Sequence, residues 1–444
     1  SLTPVPQRSL NPFAHVEKPR EVFAWGMYDL ANQSFQLLVN TLLFGIFLAK
    51  VVIPNATNGK TVFGTMVAIA LVIVVILSPC VGAWADARGV RKRLLIGTGL
   101  LAVLFTAGPS TLGPGMPLVA AILYIAAAVM VGLGENLLGS FLPFLSTPRT
   151  VGRVSALGWT MSYLGALLLL GVTAIAVYGL HLRDPAQWRW LFGFAALWFA
   201  AGMLPAMFLL REPPGEATAT DAAARRSLNP VRVLRESLSR LGGTIREARR
   251  YLQLIRFLGV FFVYSLGTNT VVYFLGQIGD DMGFEIGRLT LMALVMAATA
   301  GAGAIIAGQL QDRIGHRRMI SVFLITWVVS TLLMALSAQF GWSRGWFCPI
   351  PAGLGVALGA IGPPSRAAVG AFPPPHKSGE FFGLWGLVYK LSGVVGLLAF
   401  AWANKHLGQT ASLFALCGFF AAGLALLPMV NEREGVSAGR GDLR

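Results

Sequence analysis

The chain has 444 residues, of which 55% are hydrophobic and 12% charged, and its formal net charge at pH 7 is +16. A soluble domain carries about 25% charged residues, so this composition, with a mean hydropathy of +0.67, excludes a water-facing globular protein and makes lipid its solvent. The positive charge gathers in short loops and one linker, which argues against a nucleic-acid partner and matches the bias of cytoplasmic loops in membrane proteins.

Residues 1–21 hold Pro4, Pro6, Pro12 and Pro19 without an apolar run, so they read as a cytoplasmic segment and not as a signal peptide. A spanning helix needs about 20 mainly apolar residues. The first half offers such segments at about 22–50, 62–86, 92–112, 116–142, 150–178 and 189–210. A linker, 211–250, follows. In it Asn229 and Pro230 cap and open a helix, where Val231, Leu234, Leu238, Leu241 and Ile245 oppose Arg232, Arg235, Arg240, Arg246, Arg249 and Arg250. This predicts a basic amphipathic helix on the membrane surface, with a partner-binding role as the alternative. The second half offers spans at about 251–279, 286–311, 318–338, 345–371, 378–403 and 409–430, and 431–444 is a tail.

The fold class is therefore an all-α polytopic membrane protein, with twelve transmembrane helices in two six-helix bundles, 22–210 and 251–430. An even number of spans leaves both termini on one side. Of the Lys and Arg residues outside the spans, only Lys50, Lys60, Arg183, Arg189, Arg288, Arg344 and Lys405 fall on the other side. Both termini are thus expected in the cytoplasm. The arginine-, alanine- and glycine-rich composition suggests a bacterial inner (plasma) membrane. Cys80, Cys348 and Cys417 have neither metal nor disulfide spacing.

Gly82, Asp86, Gly89, Arg91 and Lys92 recur 226 residues later as Gly308, Asp312, Gly315, Arg317 and Arg318. An acidic-then-basic turn between two spans, repeated at half the chain length, implies two similar halves, the organisation of a secondary transporter. Its glycines are expected to permit close helix approach, and its acid and bases to form a breakable ion pair. These turns resemble the signature loop of the major facilitator superfamily over residues 21–430. The resemblance implies gating roles for Asp86, Arg91, Asp312 and Arg317, and a monomeric state. Three further blocks are similar to the vacuolar autophagic effluxer-like branch: Trp25-Gly26-Met27-Tyr28-Asp29-Leu30-Ala31-Asn32-Gln33-Ser34-Phe35, Gly152-Arg153-Val154-Ser155-Ala156-Leu157-Gly158-Trp159 and Glu380-Phe381-Phe382-Gly383-Leu384. In fungi that branch is associated with the return of amino acids from the vacuole, so the resemblance implies amino-acid transport.

Ionisable groups at membrane depth are costly and mark function by default. Asp29 in span one, Glu135 beside Asn136 in span four, Arg366 in span ten and Lys390 in span eleven are such groups. Two acids and two bases suit a zwitterion: the acids could hold an ammonium or carry a proton, a base could clamp a carboxylate. The structural alternative pairs Asp29 with Arg153 and Arg366 with Glu380 as gate or assembly contacts. Asn32, Gln33 and Asn40 in span one face Asn269, Tyr273 and Gln277, a stripe spaced by four in span seven. These either line a central path or bond neighbouring helices. Trp25, Trp159, Trp385 and Tyr389 are wall candidates or interfacial anchors. Asp280, Asp281 and Glu285 form either a cation site or a solvated loop.

The function these features predict is alternating access by a secondary transporter of a small polar solute, an amino acid first, by efflux or exchange, with proton coupling through Asp29 or Glu135. The alternatives are export of a larger amphiphile and a non-transporting receptor or scaffold. No nucleotide loop, metal cluster or nucleophile–base arrangement is present, so neither enzymatic chemistry nor a cofactor is expected.

Overall fold

The computed structural model describes residues 16–54, 58–146, 151–212, 251–342, 349–372 and 378–440. Among the described residues there is no strand, and ten segments are long and apolar enough to cross a membrane. The first nine give α1 (Pro19–Val52), α2 (Gly59–Arg88), α3 (Arg91–Ala107), α4 (Pro117–Gly139), α5 (Val151–Gly179), α6 (Arg189–Leu209), α7 (Leu252–Asp281), α8 (Ile286–Ile314) and α9 (His316–Phe340). The last, Leu384–Met429, has 46 residues. As one rod it would reach about 69 Å at 1.5 Å per residue, over twice the hydrocarbon thickness of about 30 Å. Gly408, at φ 85° and ψ 172°, breaks it into α11 (378–407) and α12 (409–426). With α10 (Pro349–Ala371), a 23-residue helix that is not one of those ten, between α9 and α11, twelve long helices stand where twelve spans are expected. A short helix, α13 (Glu432–Arg440), forms part of the tail. The amphipathic helix expected at 231–250 lies outside the described residues, as does Cys348.

The two repeated turns lie on one face of the molecule, here the turn face; the other is the far face. α2 stops at Gly89, φ 60°, and α9 is preceded by Gly315, φ 91°. Both glycines occupy backbone regions that a Cβ would strain. Gly82 departs from expectation: a Cβ there would meet nothing within 4 Å. The described part of the signature therefore uses glycine to turn the chain and not to bring helices together. Close approach falls elsewhere, between α8 and α10. A Cβ on Gly359 would sit 1.8 Å from the Ala300 carbonyl oxygen, one on Gly355 2.3 Å from that of Met296, and one on Gly303 2.5 Å from that of Val356. Lacking a hydrophobic drive in lipid, helices gain from such backbone proximity.

Each half is closed by the same device. Glu212, just beyond α6, accepts the Lys92 backbone N–H at 3.0 Å on both carboxylate oxygens. Glu432, just beyond α12, accepts those of His316 and Arg317 at 3.0 and 3.1 Å. A carboxylate at a helix N-terminus satisfies donors that the helix cannot, and meets the positive end of its dipole. The last helix of each half is so tied to the third. Arg91 lies 4.6 Å over the Phe144 ring, and Arg317 donates to the Val430 carbonyl at 3.3 Å. The side chains of Asp86 and Asp312, expected to pair with such bases, lie outside the described residues.

Gly359→Ala should force α8 and α10 apart and lower stability by about 1–3 kcal/mol, the usual range for overpacking. Thermal unfolding in detergent would register this against Gly362→Ala, whose added methyl meets open space; equal behaviour of the two variants would contradict the packing described.

Candidate functional site

Where the bundles meet, α2 packs on α11 and α5 on α8, and the far half of α1 packs on α7. α1 is not a uniform helix. Ser34–Leu43 is π-helical, a conformation that concentrates at functional positions. Within it Thr41 donates its hydroxyl to the Gln36 carbonyl at 2.8 Å, and Gln36 and Asn40 turn toward α4. Gln36 Nε2 donates to Glu135 Oε1 at 2.8 Å. Asn40 Oδ1 accepts from the Tyr124 hydroxyl, and Tyr273 of α7 lies beside Asn40.

One residue after Glu135, Asn136 reaches both ways. Its Nδ2 donates to Ser78 Oγ on α2 at 2.5 Å, and its Oδ1 accepts from Lys390 Nζ on α11 at 3.1 Å. Lys390 belongs to the C-terminal bundle and Glu135 to the N-terminal one, and each lies within electrostatic reach of the other. Glu135 and Asn136 are exposed, and Tyr389, beside Lys390, is 38% exposed. An acid, an amide, a phenol and an ammonium therefore gather at one accessible place on the seam, here called the chamber, with groups from both bundles.

The other sequence candidates have separate places. Gln33 donates to Ser162 on α5 at 2.6 Å, a joint within the N-terminal bundle. Asn269 donates to the Ser265 and Tyr389 carbonyls and to Ser392 Oγ, at 3.1, 3.3 and 3.2 Å, a joint within the C-terminal bundle. Trp25 donates its indole N–H to the Leu138 carbonyl at 2.8 Å. Asn32 is buried, and neither end of its amide meets a partner among the described residues. Asp29 is half-buried on α1. The side chains of Arg153, Arg366 and Glu380, and so the proposed pairs Asp29–Arg153 and Arg366–Glu380, lie outside the described residues.

The chamber is closed toward the far face by aromatic rings. Tyr124 stacks on Phe44 with centroids 4.5 Å apart and meets Phe63 edge-on at 5.4 Å. Phe63 meets Phe274 of α7 edge-on at 5.9 Å, which carries the cluster across the seam. Beyond it Gln277 Nε2 donates to the Gly45 carbonyl at 2.9 Å, so the third member of the α7 stripe is a seam contact. At the surface Lys50 pairs with Asp280 and Lys60 with Asp281. Asp280 and Asp281 are thus not simply solvated: each is held by a lysine of the opposite bundle. Among the described residues no group of acids, histidines and cysteines could hold a metal.

The profile of the family described as "Vacuole effluxer Atg22 like" matches residues 51–439. The chain belongs to that family. It is an MFS-type membrane transporter and not an enzyme. An uncharacterized MFS-type transporter, YxiO of Bacillus subtilis (strain 168), is 23% identical over 439 residues, covering 95% of this chain and 97% of that protein. Autophagy-related protein 22 of Gibberella zeae is 24% identical over 260 residues, 55% of this chain and 39% of the fungal protein. The crystal structure of a D-xylose–proton symporter superposes with a TM-score of 0.71 at 14% identity, over 94% of this chain and 98% of that one.

Several residues of this Atg22-like transporter carry the chamber without having drawn notice in the sequence. Gln36, four residues before Asn40, extends the α1 stripe and was legible on that ground. Tyr124 and Ser78 sit alone in apolar runs, and nothing local distinguishes them. Tyr124→Phe deletes only the bond to Asn40 and should cost about 0.5–1.5 kcal/mol. Tyr124→Ala also removes the stack and should cost about 3–5 kcal/mol. Thermal unfolding separates the two, and equal losses would contradict a ring cluster held by packing.

Proposed function

We propose that this transporter moves a small zwitterion, an amino acid first, by alternating access between two bundles that each hold one of its poles. The observation that carries this reading is Lys390 of the C-terminal bundle bonded to Asn136, the neighbour of Glu135 on the N-terminal bundle. Glu135 receives the ammonium and Lys390 the carboxylate, both strong charge-assisted bonds. The solute displaces Asn136 from Lys390, and its two poles then draw the bundles together. Asp29 and Glu135 are the candidate proton carriers.

The charge bias puts the turn face in the cytoplasm of a bacterial cell. In the arrangement seen here the far face is closed, so the chamber belongs to the cytoplasm-facing half of the cycle. Asp86, Arg91, Arg153, Asp312, Arg317, Arg366 and Glu380 are assigned to the turn-face gate, which forms when that side closes. Net export or exchange suits a chamber loaded from the cytoplasm. A large amphiphile suits it less, because its described polar wall carries both an acid and a base. A sugar is a second reading. Amide and phenol groups (Gln36, Asn136, Tyr389) could bond hydroxyls, and a D-xylose transporter of Levilactobacillus brevis is 23% identical over 299 residues, 62% of this chain.

Counterflow into proteoliposomes loaded with mixed amino acids together with xylose tests this directly, with labelled amino acids or labelled xylose outside. Accumulation of an amino acid that falls at least about tenfold in both Glu135→Gln and Lys390→Ala is the expected result, since one charged bond contributes about 1.5–3 kcal/mol. Accumulation of xylose alone would favour the second reading, and accumulation of neither would overturn both. If Asp29 and Glu135 carry the proton, the Asp29→Asn, Glu135→Gln double variant should lose transport driven by a pH gradient. Unchanged pH-driven transport would contradict that role.

A further inference from the structure

A chain of polar groups, Tyr124, Asn40, Gln36 and Glu135, runs to the chamber from the ring cluster that closes the far face. A carboxylate only accepts hydrogen bonds, so Glu135 fixes the direction of the whole chain. Gln36 has to meet it with a donor, and does, through Nε2 at 2.8 Å. The Oε1 end of the same amide is then left to Asn40, whose Nδ2 approaches it at 3.5 Å. Asn40 in turn has only Oδ1 left for Tyr124, and the Tyr124 hydroxyl donates to it. Asn40 and Tyr124 are 2% and 1% exposed, so each depends on its protein partners. An amide nitrogen carries two donors. Gln36 takes one of those of Asn40, and Tyr273, on α7 of the other bundle and beside Asn40, is placed to take the second.

We propose that Asn40 and Gln36 are positioning residues that relay the state of the far face to Glu135. While that face is shut, Tyr124 and Tyr273 hold the Asn40 amide in the orientation described. Gln36 then presents an N–H to a carboxylate that is ready for a cation. When the bundles part there, Tyr273 leaves with α7, and this orientation loses a partner. The two amides turn over together, with Tyr124 now accepting from Asn40, and Gln36 presents Oε1 to Glu135. Two acceptors repel, so Glu135 takes a proton from the water of the chamber and lets go of a cationic group. The solute is thus released when the far face opens and is not held there. Asp29, Lys390 and the phenols of Tyr28, Tyr273 and Tyr389 also lie within electrostatic reach of Glu135, and the test separates their field from the chain. The relay rests on Glu135 as the acid of the chamber, and not on which solute meets it.

The test reads Glu135 itself, on the full chain in nanodiscs and without solute. Dicyclohexylcarbodiimide is the probe, since it reacts with carboxyls that carry a proton, and mass spectrometry follows the peptide that holds Glu135. Tyr124→Phe, which keeps the ring but frees the Asn40 amide, should raise the labelling rate at least about threefold, the equivalent of one neutral hydrogen bond. Lys50→Ala with Lys60→Ala, which removes two ion pairs across the far face, should raise it by a similar factor. Gln36→Leu cuts the chain. It should raise the rate by itself, and on that background neither of the other changes should add to it. The proposal is overturned if Tyr124→Phe or the lysine double variant labels like wild type, or if their factors persist on the Gln36→Leu background. Failure of amino-acid counterflow would overturn the reading of the solute and leave the relay standing.

Discussion

Hydrocarbon offers no partner for a polar group, and this constraint decides where the polar side chains of the protein can be. Two sorts of contact stand out among those described at membrane depth. Gln33, Asn269 and Trp25 each bond within one bundle and fasten helices that do not separate. Asn136, Lys390 and Gln277 bond across the seam. A transporter that rocks must break the second sort in every cycle, so those contacts have to be few and replaceable. The seam has this character: among the described residues it includes a lysine–amide bond and the Asn40–Tyr273 contact at the chamber, an amide–carbonyl bond and two ion pairs toward the far face, and a ring contact between Phe63 and Phe274.

The bundles themselves are built to stay intact. Glu212 and Glu432 tie the last helix of each half to the N-terminus of the third, where the dipole and free N–H groups reward a carboxylate. Glycines at the α8–α10 crossing allow backbone contact that lipid cannot replace. Rigid bundles joined by a weak seam are what alternating access by rocking requires. The π-helical stretch of α1 lies where these two regimes meet. Its near half packs on α5 and α6, and its far half on α7 of the other bundle.

The fold was legible in the sequence because it depends on two coarse signals, apolar length and a repeat. The twelve spans follow from runs of about 20 apolar residues, and the halves from the recurrence of Gly82–Lys92 at Gly308–Arg318. The candidate site was legible only where a residue violates its surroundings. Glu135 and Lys390 stand out because charge is rare at depth, and the structure brings both to one chamber. Which polar residue faces the seam and which faces its own bundle is a question of helix rotation, and spacing alone does not answer it. Asn269, Tyr273 and Gln277 share a stripe, yet one bonds within its bundle, one meets Asn40 across the seam, and one bonds the Gly45 carbonyl. Asp280 and Asp281 were legible as acids, but their lysine partners are more than 200 residues away in sequence, beyond any local pattern.

The central claim is that one solute is held by its two poles on two different bundles. Competition of counterflow by two trimmed forms of the transported amino acid tests it most directly: the carboxamide, which lacks the anionic pole, and the des-amino acid, which lacks the cationic one. Wild type should prefer the intact zwitterion to both. Glu135→Gln should abolish only its preference over the des-amino form, and Lys390→Ala only its preference over the carboxamide. If both variants weakened both preferences alike, the poles would not be divided between Glu135 and Lys390, and the account of the chamber would be wrong.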